Sequence, residues 1–380
     1  MITLSGFSWY LNNFKKVSLQ EFDQILDVTH SSVADGLLGW YQSRLDLTKS
    51  VSELNQFVEL TKQLNHAQEL SDLSLIALAH ADIDQFFEAR PSVTINGRSA
   101  NIISVDGYSI FSTEKNLTGT INPIYEQRPE LFKKSLQGAS QFIPSVWSTS
   151  NDASSIRKPE MYITTPITDD MGKVIAIFSI RFKPDSAFSA FFTDAGFGDT
   201  LEVYGIDNKA RLVTNSRFVS DLYQQGILEY GESAILNISL ADIENNDIAE
   251  SGLYGVAKKN LEGYNDYRGE SVIGFANWIP ELNLSIVVEI DLDEVYRRYF
   301  SLRNIFALIA LGFTLIILFL SVFMFVISRR ANDIANRSKD ELEQIIQERT
   351  RELVSSESKT RTVLSSVADG IFGINGDGVI

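Results

Sequence analysis

The chain has 380 residues, of which 44% are hydrophobic, and its 49 acidic and 33 basic residues give a formal net charge of -16 at pH 7. An acidic balance of this size disfavours nucleic acid as a partner. The sequence has no cysteine and only three histidines, which excludes disulfides, thiol catalysis and cysteine-ligated zinc and leaves no persuasive metal site. No phosphate loop, nucleophile elbow or paired-carboxylate motif stands out, so we expect no catalytic residue and no cofactor within these residues.

The N-terminal segment, residues 1–17, has an apolar stretch too short for a signal peptide. We expect either a transmembrane helix upstream of the chain or residues 1–11 as the tail of such a helix. Ser18-Leu-Gln-Glu21 matches a capping box, which predicts that a helix begins there. Apolar residues then recur mostly at three- and four-residue steps, which predicts a long stalk helix over 18–65. Two wider steps in the pattern leave open whether that helix is continuous.

A strand-turn-strand pattern occurs twice along the chain, in residues 102–111 and again in residues 201–213. Asp106-Gly107 and Asp207-Asn208 supply the two turns. Further along, each pattern is followed by a β-rich strand, then by an acidic residue and the start of a helix. The repeat predicts two α+β modules in tandem.

The predicted fold class is therefore α+β. A long N-terminal helix carries a membrane-distal module over 66–190 and a membrane-proximal module over 195–295, each built on an antiparallel sheet. The proximal module also contains a dense polar cluster from Tyr264 to Arg268. A structural hydrogen-bonded corner is the preferred interpretation of this cluster, and a second binding site is the alternative.

Residues 304–328 contain no charged side chain and, at about 1.5 Å per residue, are long enough to cross a bilayer as a transmembrane helix. The alternative, a buried helix of a large soluble protein, is disfavoured by such a long apolar run. Basic residues flank both ends, so the orientation depends more on total charge. Residues 1–328 hold 25 basic and 40 acidic residues, a net of -15, which favours an outer location. We expect residues before 304 to be extracytoplasmic, in the periplasm, and residues after 328 to be cytoplasmic.

Positions from Leu342 to Val367 alternate at four- and three-residue steps, the spacing of a heptad seam. The seam predicts a coiled-coil signalling linker over 331–364 and, with it, a homodimer. A single solvated helix is the alternative interpretation. Polar residues at several core positions make the seam marginal, which suits a linker that changes register or rotation to transmit a signal.

Several segments together resemble the double Cache (dCache) sensor domain of bacterial receptors. The resemblance covers about 20–300 and is carried by Gln141–Trp147, Thr165–Ile167, Gly172–Ala176, Asn215–Phe218, Gly263–Gly269, Val272–Gly274, Trp278 and Glu289-Ile290. It implies that the two sheets are PAS-like (Cache) modules and that the distal module binds a small-molecule ligand. Residues 365–380 resemble the start of a cytoplasmic PAS domain, with a hairpin turn at Asn375–Gly378.

The layout that the resemblance implies is a sensor histidine kinase of a two-component system in the bacterial inner membrane, with a cytoplasmic response regulator as partner. A diguanylate cyclase with the same input domain is the close alternative. In either case ATP or GTP would bind only in an output domain outside these residues. A non-signalling solute-binding surface protein is a third interpretation, which the linker and the PAS start argue against.

The ligand site that the resemblance implies lies on a helix of the distal module. In one amino-acid-binding branch of the family, a Tyr, an Arg and a Trp-Tyr pair on this helix hold the ligand, and the segment Tyr125–Phe132 is similar. Arg128 would clamp a carboxylate, although Leu131-Phe132 stands in place of the aromatic pair. The expected ligand-binding residues are Tyr125, Arg128, Phe132, Trp147, Tyr162 and Thr164. A solvated helix charge is the alternative for Arg128, and core packing is the alternative for Trp147 and Tyr162.

Overall fold

The computed structural model describes residues 2–94, 98–149, 157–185, 187–195 and 198–368. The chain forms two compact units, Met1–Phe300 and Ser301–Ile380. The predicted PAS start at 365–380 lies outside the described residues from 369 onward. The predicted α+β class is confirmed, because the first unit combines helices with two separate antiparallel sheets.

Two helices replace the single stalk helix predicted over 18–65. Helix α1 is Ile2–Ser52 and helix α2 is Asn55–Leu70. The predicted helix start at Ser18 is wrong, because Ser18 is a buried residue inside α1 and no proline stops the helix upstream of it. At the other end of α1, the hydroxyl of Ser52 donates to the Lys49 carbonyl oxygen at 3.0 Å, a local bond that competes with continuation of the helix.

Helix α1 is a spine for both sheets. Its buried stripe forms one core cluster with residues of the distal and the proximal sheet, and consists of Leu26, Val33, Leu37, Tyr41 and Leu45. Trp40 on the same helix packs edge-on against Phe182, with ring centroids 5.2 Å apart. The predicted apolar stripe therefore buries against two modules at once, which a helix of ordinary length could not do.

The distal module is a five-stranded sheet with helices on both faces. Its strands are β1 Ser99–Ile103, β2 Ser109–Ser112, β3 Gln141–Trp147, β4 Pro159–Thr168 and β5 Val174–Phe182, in the antiparallel order β2-β1-β5-β4-β3. Its helices are α3 Leu73–Glu88, α4 Pro91–Thr94, α5 Pro123–Gln127 and α6 Pro129–Leu136. Buried phenylalanines join one face of the sheet to α2 and α3, among them Phe57 and Phe178, whose rings meet edge-on with centroids 5.1 Å apart. Helices α5 and α6 cover the other face. The first predicted hairpin is confirmed as β1 and β2.

The proximal module is a four-stranded sheet reached through helix α7, Ala187–Thr193. Its strands are β6 Glu202–Ile206, β7 Lys258–Asn265, β8 Ser271–Ile279 and β9 Leu284–Asp291, in the antiparallel order β6-β9-β8-β7. Short helices α8 Val219–Gln224 and α9 Ala249–Tyr254 pack on one face. The second predicted hairpin is reduced to a bridge between Ile206 and Leu212.

Helix α10, Leu292–Ala368, begins directly after β9. It contains the predicted span 304–328, and among the described residues it is the one helix with the length and apolar composition needed to cross a membrane. The predicted linker over 331–364 is helical throughout. Its seam positions Leu342, Ile346 and Leu353 are exposed on the single chain.

Candidate functional site

One face of the distal sheet is polar although it is buried. Side chains alternate between the two faces of a strand, so every second residue of β1, β4 and β5 points to the same side. The strand register sets Asn101 beside Ser179, and Ser179 beside Thr164. This surface, called here the distal polar face, consists of Ser99, Asn101, Ser112, Glu160, Tyr162, Thr164, Ser179 and Arg181, each at most 9% exposed. Buried polar groups are costly unless they are hydrogen-bonded, so the partners of these residues matter.

A charged network occupies one end of the distal polar face. The guanidinium of Arg181 pairs with Glu160 and with Glu114, and its Nε donates to Ser99 Oγ at 2.8 Å. The Tyr162 hydroxyl donates to Glu160 Oε2 at 2.7 Å. Burial raises the pKa of Glu160, and the neighbouring Arg181, which lowers it, offsets only part of that effect. With two carboxyl groups for one guanidinium, the network has an excess of negative charge.

A small cavity of about 10 Å³ touches this network, and its lining includes Asn101, Ser109, Asn122, Glu160 and Tyr162. A cavity of this size holds about one water molecule. Asn122 closes it from the side of α5, because its Nδ2 donates to Ser109 Oγ at 3.0 Å and its Oδ1 caps α5. Any larger ligand on this face requires α5 and the preceding loop to move outward.

Two polar atoms of the distal polar face lack a hydrogen-bond partner among the described residues. They are Asn101 Nδ2 and Ser179 Oγ, both on nearly fully buried side chains. The two residues are direct cross-strand partners, so the two atoms belong to one place on the sheet. A buried group without a partner carries the full cost of its lost hydration. A donor or acceptor supplied by a ligand would remove that cost.

The structure brings four of the six predicted ligand residues together around α5 and α6. Tyr162 lines the cavity, and Thr164 Oγ1 lies 3.0 Å from Ser135 Oγ on α6. Phe132 is buried in the apolar cluster that includes Tyr162. Tyr125 packs edge-on against Phe132, with ring centroids 5.3 Å apart, and lies 45% exposed. Its ring sits where a Cβ on Gly107 would be, which together with φ of 87° explains the glycine at this turn.

Trp147 lies at the end of β3, at the margin of this group. Its backbone nitrogen donates to Gln127 Oε1 at 2.8 Å, and its carbonyl oxygen accepts from Gln127 Nε2 at 2.7 Å. These two bonds tie the end of α5 to the edge of the sheet. Trp147 therefore holds the helix that covers the distal polar face, through its backbone.

Arg128 is neither a solvated charge nor a free clamp. It is 1% exposed, and its guanidinium donates to Asp207 Oδ2 at 2.6 Å and to Asn208 Oδ1 at 2.7 Å. Both partners belong to the turn after β6 in the proximal module. The chain breaks between α5 and α6 at Arg128, whose φ of -136° is not helical, because Pro129 disfavours the helical conformation in the residue before it. The carboxylate that Arg128 contacts in this structure belongs to Asp207 and not to a ligand.

No protein-family model and no curated protein sequence matches this chain. Among solved structures, the chain is similar to the sensor domain of the histidine kinase DctB from V. cholerae, with 15% identity and a TM-score of 0.44, over 73% of this chain and 98% of that one. The ligand-binding domain of the chemoreceptor PctB of Pseudomonas aeruginosa PAO1, in complex with L-Arg, has 12% identity and a TM-score of 0.44, over 73% and 96%. The periplasmic sensory domain of the Campylobacter jejuni chemoreceptor Tlp1 has 12% identity and a TM-score of 0.45, over 73% of this chain and 98% of that one. The first and third of these structures are described as sensor or sensory domains, and the second is described as a ligand-binding domain.

Sequence reasoning missed the charged network. Glu160 and Arg181 stand in strands that otherwise consist of apolar and hydroxyl residues, and that contrast was the available signal. A single charged residue inside a strand that is covered on both faces is rare unless it is paired. The signal would have indicated a buried polar face, but only the register of β4 against β5 identifies the partners.

Proposed function

We propose that this chain is the sensing and transmembrane portion of a bacterial receptor, and that its distal module binds a polar small molecule on the distal polar face. The observation that carries the proposal is the buried pair of unpartnered groups, Asn101 Nδ2 and Ser179 Oγ, beside a covered cavity. Proteins tend to keep such unfavourable arrangements at functional sites. The other face of the same sheet is packed mainly with phenylalanine and aliphatic side chains, and Thr165 is the unpartnered buried hydroxyl there among the described residues.

Ligand binding would displace the elements that cover the distal polar face, which are α5 and the loop before it. Because the cavity holds about one water molecule, a ligand of several heavy atoms displaces α5 and the loop before it. Arg128, at the end of α5, is held by Asp207 of the proximal module, so the displacement reaches β6. The size of the response depends on how much more tightly the ligand binds the displaced state than the closed state.

The response would then pass to the output through α10. Strand β9 pairs with β6 and continues into α10, which carries the apolar segment 304–328 and the heptad seam. In the proposed receptor, residues before 304 are extracytoplasmic, the linker over 331–364 is a homodimeric coiled coil, and a PAS domain begins at 365–380. We propose a histidine kinase that phosphorylates a response regulator as the output. A cyclase domain encoded downstream of residue 380 would replace the kinase part of this proposal.

A thermal-shift screen of the full chain in detergent tests the distal site. The panel covers amino acids, organic acids, amines and purines, and a ligand of the folded state raises the melting temperature in a saturable way. Asn101→Leu, which keeps the side-chain size but removes the amide, should abolish the shift. Thr164→Val should weaken the shift, because it removes a hydroxyl from the distal polar face.

The chain offers a matched control at the next residue. Thr165 is also buried, but it points to the opposite face of the sheet. Thr165→Val should leave the ligand-induced shift unchanged. Equal losses in both threonine variants would mean that the effect is on stability alone and would contradict the site. The absence of any shift across the panel would favour a protein partner for the outer domain.

A further inference from the structure

Two glutamates face each other on an edge strand and its neighbour in the proximal sheet. Glu202 on β6 and Glu289 on β9 are direct partners in the antiparallel register. They are 3% and 2% exposed. Side chains directly opposite on an antiparallel pair have Cβ atoms about 4.5–5.5 Å apart. The two residues, called here the proximal acid pair, therefore place two carboxyl groups in one buried site.

Hydroxyl groups surround the proximal acid pair. The Tyr264 hydroxyl donates to Glu289 Oε1 at 2.6 Å. Glu202 accepts from the Tyr267 hydroxyl, from Ser216 Oγ at 3.2 Å and from the Arg217 backbone nitrogen at 2.7 Å. Glu289 Oε2 and the hydroxyl of Tyr204 make no hydrogen bond of ordinary geometry within the part of the chain that the structure describes. The Tyr204 hydroxyl is nevertheless close enough to lower the pKa of Glu289, so it is the donor nearest to that carboxyl group.

Strand β8 makes room for this arrangement. The residue of β8 that pairs with Glu289 is Gly274, and a Cβ there would lie 2.2 Å from the Tyr264 hydroxyl. The glycine at this position lets the phenol reach the carboxyl group. It also means that β8 adds no titratable group at this point.

The surrounding charge does not balance the pair. The titratable groups packed around it from β6, β7, β9 and the turn after β7 are Tyr204, Tyr264, Asp266, Tyr267, Arg268 and Asp291. Arg268 is the cation of this set, and it is already engaged by Asp266 at 2.5 Å and by Asp291 at 2.6 Å. Arg268 still lowers the pKa of Glu202, whereas no cation among the described residues is a main influence on the pKa of Glu289. Two carboxyl groups in one buried site favour a state in which one of them holds a proton.

We propose that the proximal acid pair binds one proton, held by Glu289, and that the proximal module is a pH sensor. Loss of the proton would leave like charges directly opposite each other on β6 and β9, which weakens the pairing of these strands. Because β9 continues into α10 without a loop, a change in β9 reaches the helix that carries the apolar segment. Burial first, and then the nearby Asp266, raises the pKa of Glu289 to about 8, so the proton exchanges near neutral pH.

This inference does not depend on the distal ligand. It uses the proposed function only to place the proximal module outside the membrane, where the external pH would act on it. A failure to find a distal ligand would leave the proton site intact, and the reverse also holds.

The test is a pH titration of the full chain in lipid nanodiscs, followed by infrared spectroscopy with labelled glutamate. The wild type should contain one glutamic acid whose protonated carbonyl band disappears near pH 8. Glu289→Gln should lack that transition. Glu262→Gln, which changes an exposed carboxyl group on β7 of the same module, should keep it. Wild-type glutamates that all titrate in the ordinary acidic range would overturn the proton site.

Hydrogen exchange of the same samples tests the sensing step. Corrected for the intrinsic effect of pH, the amides of β6 and β9 should lose protection as Glu289 loses its proton, and Glu289→Gln should stay protected throughout. If Glu289 titrates but the protection of β6 and β9 does not change, the proposed sensing step is wrong and the proton-binding site remains. Should Glu289→Gln fail to fold, Glu202→Gln is the second variant, and it should shift the Glu289 transition to lower pH because one negative charge is removed.

Discussion

At the scale of single residues, Glu289 sets a pH dependence of stability with a definite sign. Its pKa is about 8 in the folded chain against an ordinary value of 4.5, so the folded state holds the proton more tightly than the unfolded state. Its contribution to the free energy of unfolding is therefore complete below pH 4.5 and declines as the pH rises toward 8, by about 1.4 kcal/mol per pH unit.

Urea unfolding of the wild type and of Glu289→Gln at a series of pH values measures this contribution. The glutamine keeps the shape of the side chain but cannot lose a proton, so the wild type should lose stability relative to the variant across that pH window. The difference between the two proteins isolates Glu289 from the other buried carboxyl groups. A difference that stays constant with pH would contradict the raised pKa.

At the scale of elements, the edge of the distal sheet is the place where the two modules meet. Strand β3 is the last strand of that sheet, and the proximal module covers its edge. Asn283 Nδ2 donates to the Phe142 carbonyl oxygen at 2.8 Å, and Ser145 Oγ donates to the Val213 carbonyl oxygen at 2.9 Å. Covering an edge strand in this way satisfies its free backbone groups and prevents pairing with another chain.

The same interface contains a buried ion pair whose loss should be costly. Burial alone would raise the pKa of Asp207, but the guanidinium groups of Arg128 and Arg211 lower it below its ordinary value. Arg128→Met leaves a buried carboxylate with one cation fewer, and we expect a loss of about 3 kcal/mol in the free energy of unfolding. Arg211→Met is the matched control, because Arg211 is 26% exposed and pairs with the same carboxylate, and it should cost about 1 kcal/mol.

A double-mutant cycle with Asp207→Asn checks this assignment by urea unfolding. The asparagine retains an acceptor for the backbone nitrogens of Lys209 and Arg211, which Asp207 Oδ1 now accepts at 2.9 Å. Adding it to Arg128→Met should recover part of the lost stability, because the uncompensated charge is gone. Equal costs for the Arg128 and Arg211 variants would argue against an interface held by the buried pair.

The elements themselves show what local sequence can specify. The first hairpin and the closing strands were predicted because alternation and turn residues are local signals. The wider steps in the apolar pattern leave the continuity of the stalk helix open, but they do not place the break between α1 and α2 at Ser52. The Ser52 side chain bonds back to the preceding turn, yet a bond of the same kind at Thr350 lies inside the unbroken α10, so this local signal is ambiguous. The second hairpin was overpredicted, since the Asp207 carboxylate that organises its turn also anchors the other module and the paired strand ends at one bridge.

Contacts between residues far apart in the sequence are the part of the candidate site that the sequence alone does not predict. The family resemblance implies one helix for Tyr125–Phe132, and the structure divides the segment between α5 and α6 at Arg128. The partner of Arg128 lies 79 residues further along the chain, and no periodicity points to it. The pairing of Glu160 with Arg181 depends on the register of two strands, which is set by the folded sheet.

At the scale of the whole molecule, the proposed signalling route requires two copies of α10 to meet along the heptad seam. The seam residues Leu342 and Leu353 are 56% and 71% exposed on the single chain, so their side chains are accessible to a second copy. The chain has no cysteine, so single-cysteine variants can be cross-linked without background. Leu342→Cys and Leu353→Cys, in membranes with a mild oxidant, should form disulfide-linked dimers rapidly.

Gln344 and Ser358 lie away from the seam on the same helix and provide the controls. Gln344→Cys and Ser358→Cys should cross-link much more slowly, because their side chains would face solvent in a two-stranded coil. Adding Leu353→Asp to Leu342→Cys should slow its cross-linking, since a buried carboxylate at a core position opposes the pairing of the helices. Equal rates at all four cysteine positions would mean that the helices meet only by random collision, which would leave α10 as a single solvated helix and remove the coiled coil from the signalling route.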